Sequence, residues 1–197
     1  MGRKNRNMEI STWEERYRSG ECSAGDIHGT PTPLLVETAR RLRPGRALDL
    51  ACGIGRNALW LAEQGWRVTA VDGATAAIEM LRSRASERGL TLDARVANLE
   101  RGEYRIEPAS WDFIAICYYL QRDFFPHAKE GLVPGGVLLA IVHITAPGEE
   151  PTAHRLRPEE LARYFEGWEI LHSYEGPPND AAHKRLVAEI VARRPEA

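Results

Sequence analysis

Leu48-Asp49-Leu50-Ala51-Cys52-Gly53-Ile54-Gly55-Arg56-Asn57 is the stretch on which the fold turns. An apolar run, Ala47 to Ala51, breaks at two glycines and passes into Ala58–Gln64, where apolar residues recur at helical spacing until Gly65 ends the pattern. The order is therefore strand, tight turn, helix. Glycine in such a turn permits unusual backbone angles and lets a ligand approach the main chain closely. The helix that follows aims its free amide groups at whatever occupies the turn.

The same unit repeats outward. Trp66–Val71 predicts a second strand and Ala74–Arg88 a helix with Ile78, Leu81 and Ala85 on one face, closed by Gly89. Leu92–Val96 is a third strand and Phe113–Cys117 a fully apolar fourth. Phe124–Gly131 is a short helix stopped by Pro134-Gly135-Gly136, and Val137–Ile144 a fifth strand. This alternation predicts an α/β protein, a doubly wound, mainly parallel sheet with helices on both faces. Fully apolar strands agree, because they are buried on both sides.

Beyond the core the rhythm changes. Pro158-Glu159-Glu160-Leu161 opens a helix, with proline in its first turn and acids near its positive end. Glu169–Tyr174 and Leu186–Arg193 are two strands with no helix between them, which predicts an antiparallel hairpin finishing the sheet. Ahead of the core, Ser11 caps a helix over Thr12–Ser19, and Pro33–Arg43 forms a second. The expected organisation is a disordered basic leader (1–10) and one domain (11–197), made of a helical cap (11–45), a ligand-binding core (46–145) and an acceptor-side segment with the hairpin (146–197).

Composition bounds the partners. The chain has 197 residues, 43% hydrophobic and 27% charged, with net charge −2. That charge supplies no field for nucleic acid or an anionic membrane. No apolar run reaches the roughly 18 residues that cross a bilayer. A cytoplasmic, small-molecule-handling monomer or homodimer is expected. Cys22, Cys52 and Cys117 are odd in number and show no zinc-site spacing, which fits a reducing compartment and no metal. Cys52 and Cys117 end apolar runs, as packing residues do.

Two further polar residues share the glycine turn's place in the fold. Asp72 ends the second strand, where a carboxylate can accept from both hydroxyls of a ribose; a plain turn residue before Gly73 is the competing role. Asn98 follows the third strand, within reach of a base. Polar residues at the carboxyl ends of successive strands match the ligand crevice of open α/β sheets. A dinucleotide fingerprint needs a third glycine where Arg56-Asn57-Ala58 stands, which argues against a nicotinamide oxidoreductase. S-adenosylmethionine has no phosphate and asks less of the helix end. Its amino group wants an acid, and Asp49 provides one.

Asp49 to Asn57 resembles the first motif of class I S-adenosylmethionine-dependent methyltransferases. Val71-Asp72-Gly73 resembles their second acidic site, and Leu132-Val133-Pro134-Gly135-Gly136 the turn before their fifth strand. Trp13-Glu14-Glu15-Arg16-Tyr17, Cys52-Gly53-Ile54-Gly55-Arg56-Asn57 and Tyr119-Leu120-Gln121-Arg122-Asp123 are similar to the tellurite-resistance and thiopurine methyltransferase-like branch. The resemblance spans about Trp13 to Arg193. It implies a Rossmann-like sheet of seven strands, the last antiparallel between the fifth and sixth. It implies that Ala51, Gly53 and Gly55 meet the methionine moiety, Asp72 and Gly73 the ribose, and Asn98 with Leu99 the adenine. Tyr17 would close over the cofactor, and Cys117 and Tyr118 would line the transfer site. Many relatives carry aspartate where Asn98 stands; its side-chain oxygen still accepts a hydrogen bond.

On the acceptor side the candidates are Tyr17, His28, Tyr118, Tyr119, Arg122, His143 and His154. Tyr17, Tyr118, Arg122 and His143 are the candidate catalytic set. His143 lies near the carboxyl end of the fifth strand and either faces the crevice or is satisfied by packing. Arg122 either holds an anionic acceptor or pairs with Asp123 or Glu103. His154 and Arg157 occupy a segment that is either an acceptor lid or a solvated loop. The expected acceptor is a small soft nucleophile, a thiol or a metalloid oxyanion. Two other functions fit less of the sequence: a non-catalytic S-adenosylmethionine-binding regulator, and a nucleic-acid or protein methyltransferase. Cys117-Tyr118-Tyr119-Leu120 lacks the Asn/Asp-Pro-Pro-aromatic pattern of flipped-base enzymes.

The cofactor reading predicts that S-adenosylhomocysteine binds with micromolar affinity, about 8 kcal/mol. Isothermal calorimetry checks it, and no heat at millimolar ligand would contradict it.

Overall fold

The computed structural model describes residues 3–20, 29–146, 148–149 and 152–196. Cys22 and His28 lie outside the described residues. Along the chain come α1 (Arg3–Ser19), α2 (Pro33–Ala39), β1 (Arg46–Leu50), α3 (Arg56–Glu63), β2 (Arg67–Asp72), α4 (Thr75–Glu87) and β3 (Asp93–Val96). Then follow β4 (Trp111–Cys117), α5 (Phe124–Gly131), β5 (Leu132–His143), α6 (Glu160–Arg163), β6 (Glu169–Gly176) and β7 (Val187–Arg193). A 3-10 turn, Leu99–Arg101, stands between β3 and β4.

The strands form one seven-stranded sheet in the order β3-β2-β1-β4-β5-β7-β6. β1 to β5 are parallel to one another, and β7 runs antiparallel to both β5 and β6. The expected topology, with the last strand inserted between the fifth and sixth, is the one observed. Strand alternation decides which residues meet which helices. Leu48, Leu50, Ile114, Ile116, Leu138 and Ala140 pack with Phe124, Phe125 and Ala128 of α5 and Leu161 of α6. Ala47, Phe113, Ala115, Leu139 and Ile141 pack with Leu35 of α2, Leu59 and Leu61 of α3, and Ile78 and Leu81 of α4. Chain order reverses between β1 and β4, so their carboxyl ends diverge into a crevice at that switch point.

Several boundaries differ from the sequence reading. α1 begins at Arg3, inside the stretch expected to be a disordered leader, and Ser11 lies within the helix rather than capping it. No glycine or proline interrupts Arg3–Ser19, and Gly20 (φ 75°) ends it. The segment Pro134-Gly135-Gly136 does not stop α5 but lies inside β5, which starts directly at Leu132. A register shift opposite Trp111/Phe113 absorbs it. α6 starts at Glu160, leaving Pro158 outside. Glu159 takes left-handed backbone (φ 64°) and gives its N–H to Glu175 at 2.7 Å.

Gly55 (φ 82°) shows how tightly the crevice is set by packing. A Cβ there would collide with Leu81 Cδ1 of α4. Left-handed backbone and overpacking together should make Gly55→Ala less stable by about 2–4 kcal/mol. Urea unfolding checks this, and a loss below about 0.5 kcal/mol would contradict the packing role.

Candidate active site

The turn after β1 is built on reversed backbone. Ala51 (φ 55°), Gly53 (φ 53°) and Gly55 (φ 82°) are all left-handed. Asp72, at the end of β2, clasps this turn: its Oδ2 accepts from Gly53 N at 2.8 Å and its Oδ1 from Ala74 N at 2.8 Å. A carboxylate oxygen can accept more than one hydrogen bond. Gly53 lies close under α1, since a Cβ there would come within 2.9 Å of Tyr17 Oη.

Asp49 sits beneath the turn, 1% exposed. Its Oδ2 has no hydrogen-bond partner among the described residues. Burial pushes its carboxyl up to about 7, with Asp72 adding to the rise and Arg56 opposing it. A buried acceptor without a donor is costly. A ligand cation would relieve it, because an opposite charge favours the ionised form.

The carboxyl ends of β4 and β5 supply the other wall. Tyr118, just past β4, is left-handed (φ 60°) and gives its N–H to Ile141 O at 2.6 Å. Non-glycine residues held this way store strain, and they cluster at functional sites. The Tyr118 ring stacks on His183 with centroids 3.3 Å apart and planes 8° apart. The His143 ring centroid lies 5.7 Å from Tyr118 and 5.6 Å from His183. Burial lowers the His143 pKa, with the charges of Arg185 and Arg155 adding to the effect against the Leu186 backbone. His143 is therefore neutral at pH 7, and its Nδ1 has no partner among the described residues. Burial raises the Cys52 and Cys117 thiols well above their ordinary range, which rules out an activated thiolate at either.

These groups line one cavity of about 490 Å³. It unites Tyr17, Asp49, Ala51, Gly53, Asp72, Gly73, Leu99, Cys117, Tyr118, Tyr119, His143 and His154. Three expected residues are not among its lining. Gly55 packs on α4 instead of facing a ligand. Asn98 caps the 3-10 turn, its Oδ1 accepting from Arg101 N at 3.1 Å, and its neighbours Leu99 and Glu100 line the cavity in its place. Arg122 pairs with Glu160 at 2.7 Å and donates to the Ala153 and Arg155 carbonyls. Neither Asp123 nor Glu103 is its partner; Glu103 accepts from Asn98 N.

The sequence reading missed Arg16, Arg56, Asn57 and His183 as lining residues. Arg56 carried a signal. A cation in the first turn of a helix opposes the helix dipole, so a buried arginine there must have a specific partner. His183 carried none, because its place depends on a contact between distant loops.

A family model described as tellurite resistance protein TehB matches residues 14–182. The chain is 27% identical over 172 residues to a probable S-adenosyl-L-methionine-dependent methyltransferase TehB of Haemophilus influenzae, covering 82% of this chain and 58% of the relative. It thus spans less than two thirds of that relative's length. The crystal structure of TehB from Haemophilus influenzae superposes with a TM-score of 0.70 at 25% identity, over 81% of this chain and 61% of that one. A Burkholderia thailandensis 1,6-didemethyltoxoflavin-N1-methyltransferase shares the fold, with a TM-score of 0.69 at 19% identity over 97% of this chain and 87% of that one.

The state of Asp49 sets a pH dependence. Its folded pKa lies above its unfolded value, so the folded form keeps a proton that the unfolded chain has lost. Its contribution to stability is full below about pH 4 and fades as pH rises through about 7. A ligand ammonium needs the ionised form, so binding gains with rising pH. Calorimetry with S-adenosylhomocysteine should show the dissociation constant rising up to about tenfold per pH unit below pH 7. Asp49→Asn should bind more weakly and lose this slope. A wild-type constant that is flat between pH 6 and 8 would contradict the assignment.

Proposed function

The chain belongs to the tellurite resistance protein TehB family, and on that premise we propose that it is an S-adenosylmethionine-dependent methyltransferase acting on a small soft nucleophile, a thiol or a metalloid oxyanion, by in-line displacement. The observation that carries this reading is one continuous cavity running from the unpartnered Asp49 carboxylate to the Tyr118–His143–His183 cluster.

The residues present fit the cofactor. Asp49 offers a buried acceptor to an amino group, Gly53 leaves the space a Cβ would fill, and Asp72 presents its two oxygens to a ribose diol. Leu99 supplies an apolar contact for the adenine, and Tyr17 closes the site from α1. When bound, S-adenosylmethionine supplies a methyl group already activated on a sulfonium. The chain's own task is alignment, which in favourable cases contributes about 7–11 kcal/mol. Tyr118, His143 and His183 would hold an acceptor in line with that group, at the end of the cavity away from Asp49. A thiolate or oxyanion has no proton to lose, and for a protonated acceptor the neutral His143 is the available base. Tyr118 is no base, because burial and the Asp180 charge keep its phenol protonated.

The acceptor end suits an anion. Arg16 and Arg56 are the two arginines that line the cavity among the described residues. Arg122, bound to Glu160, serves instead as a tie holding the 153–160 segment against the core.

Turnover of tellurite, selenite, small thiols, thiopurines, transfer RNA and a protein lysate, read as S-adenosylhomocysteine release, tests the assignment. Signal should come from small acceptors, and His143→Gln should cost well under about 100-fold, the lower bound for an essential base. Robust signal from the RNA or protein fractions alone would overturn it.

A further inference from the structure

Asp180 lies in the loop between β6 and β7, far in sequence from the turn after β1, yet the two meet. Its Oδ2 pairs with Arg56 Nη2 at 2.8 Å, and the two side chains are 8% and 6% exposed. Arg56 is the first residue of α3, directly after the glycine turn. The same Oδ2 accepts from the Tyr118 hydroxyl at 3.2 Å. Asp180 Oδ1 accepts from Ala182 N at 3.0 Å, and its carbonyl from His183 N at 3.0 Å. One carboxylate thus touches the cofactor-side helix, the tyrosine after β4 and the loop segment that stacks His183 on that tyrosine. Burial works to raise the Asp180 carboxyl, but Arg56 and the Ala182 N–H hold it below the usual carboxylate range. It stays ionised, as a three-way joint requires.

We propose that Asp180 is a positioning residue: it docks the β6–β7 loop onto Arg56 and thereby sets the Tyr118–His183 pair as the acceptor wall of the cavity. The wall's role rests on the methyltransferase reading, whereas the docking does not. The His183 imidazole acts here through its ring face, in the stack, and not through proton transfer. Breaking a buried ion pair from one side strands the other charge. Loss of Asp180 therefore releases the loop and removes the buried countercharge of Arg56, which stays tethered through its bond to the Thr30 carbonyl.

Lys184 and Arg185 lie exposed in the same loop and report its docking as trypsin sites. Asp180→Asn should be cleaved there at least tenfold faster than wild type, with S-adenosylhomocysteine affinity changed less than about threefold. With tellurite as acceptor, KM should rise at least tenfold. His183→Ala should raise the tellurite KM similarly, and His183→Phe, which keeps a flat ring, should restore it. Wild-type cleavage rates in Asp180→Asn would overturn the docking. Equal loss in His183→Phe and His183→Ala would assign the imidazole to proton transfer and overturn the stacking role. Should Asp180→Asn fail to fold by circular dichroism, the two His183 variants decide. Wild-type protein that binds S-adenosylhomocysteine but leaves tellurite unmethylated overturns the tellurite acceptor, and trypsin cleavage still decides the docking. No S-adenosylhomocysteine binding overturns the methyltransferase reading itself.

Discussion

The Asp72 carboxylate, accepting from Gly53 N on one side and Ala74 N on the other, joins the turns that follow β1 and β2. Hydrogen bonds to a charged acceptor contribute about 1.5–3 kcal/mol each, and here they fix main chain that would otherwise resist reversal at Ala51 and Gly53. With the two turns joined, α3 and α4 lie side by side, and Gly55 at the start of one presses on Leu81 in the middle of the other. The crevice between β1 and β4 is then a consequence of topology: parallel strands diverge where chain order reverses, and their carboxyl ends carry the polar residues. Asp72 is therefore both a structural clasp and the ribose acceptor of the proposed function, which explains why a carboxylate stands there and not a neutral cap.

The cavity stores unfavourable states that a ligand would resolve. Asp49 is buried with an unpartnered oxygen, His143 is kept neutral with an unpartnered nitrogen, and Ala51 and Tyr118 hold left-handed backbone without being glycine. All four lie on the lining of one cavity. Such states recur at functional sites, and here they converge on one cavity, with Thr32 Oγ1, Trp111 Nε1, Ala109 and Glu159 as further cases outside it. The cofactor end thus lacks a cation, and the acceptor end lacks a donor for an imidazole nitrogen, which the ammonium of a sulfonium amino acid and a hydroxyl or thiol hydrogen of an acceptor would satisfy.

The sequence made the scaffold legible where the signal was local. Fully apolar β4 and β5, the glycine turn and Asp72 each announced themselves within a few residues, and the resemblance supplied the inserted antiparallel β7. Asn98 misled because a side chain that reaches a base can equally cap the next turn, and Arg101 N took it. Arg122 misled because its partner, Glu160, comes from a segment 38 residues away that the pattern did not place. The Arg56–Asp180 pair was invisible for the same reason, as one half opens α3, the other lies in the β6–β7 loop, and they meet only after β7 inserts between β5 and β6. Local pattern shows where a turn must be, and long-range packing decides which side chains fill it.

The Asp49-to-His143 cavity, proposed as the cofactor and transfer site, is open to a single decisive measurement: a crystal structure with S-adenosylhomocysteine bound. The ligand's amino group should lie within hydrogen-bond distance of Asp49 Oδ2, its ribose hydroxyls on Asp72, and its sulfur beside Cys117 and Tyr118, facing His143. A ligand seated elsewhere on the protein, or in the cavity with Asp49 Oδ2 still unpartnered, would contradict it.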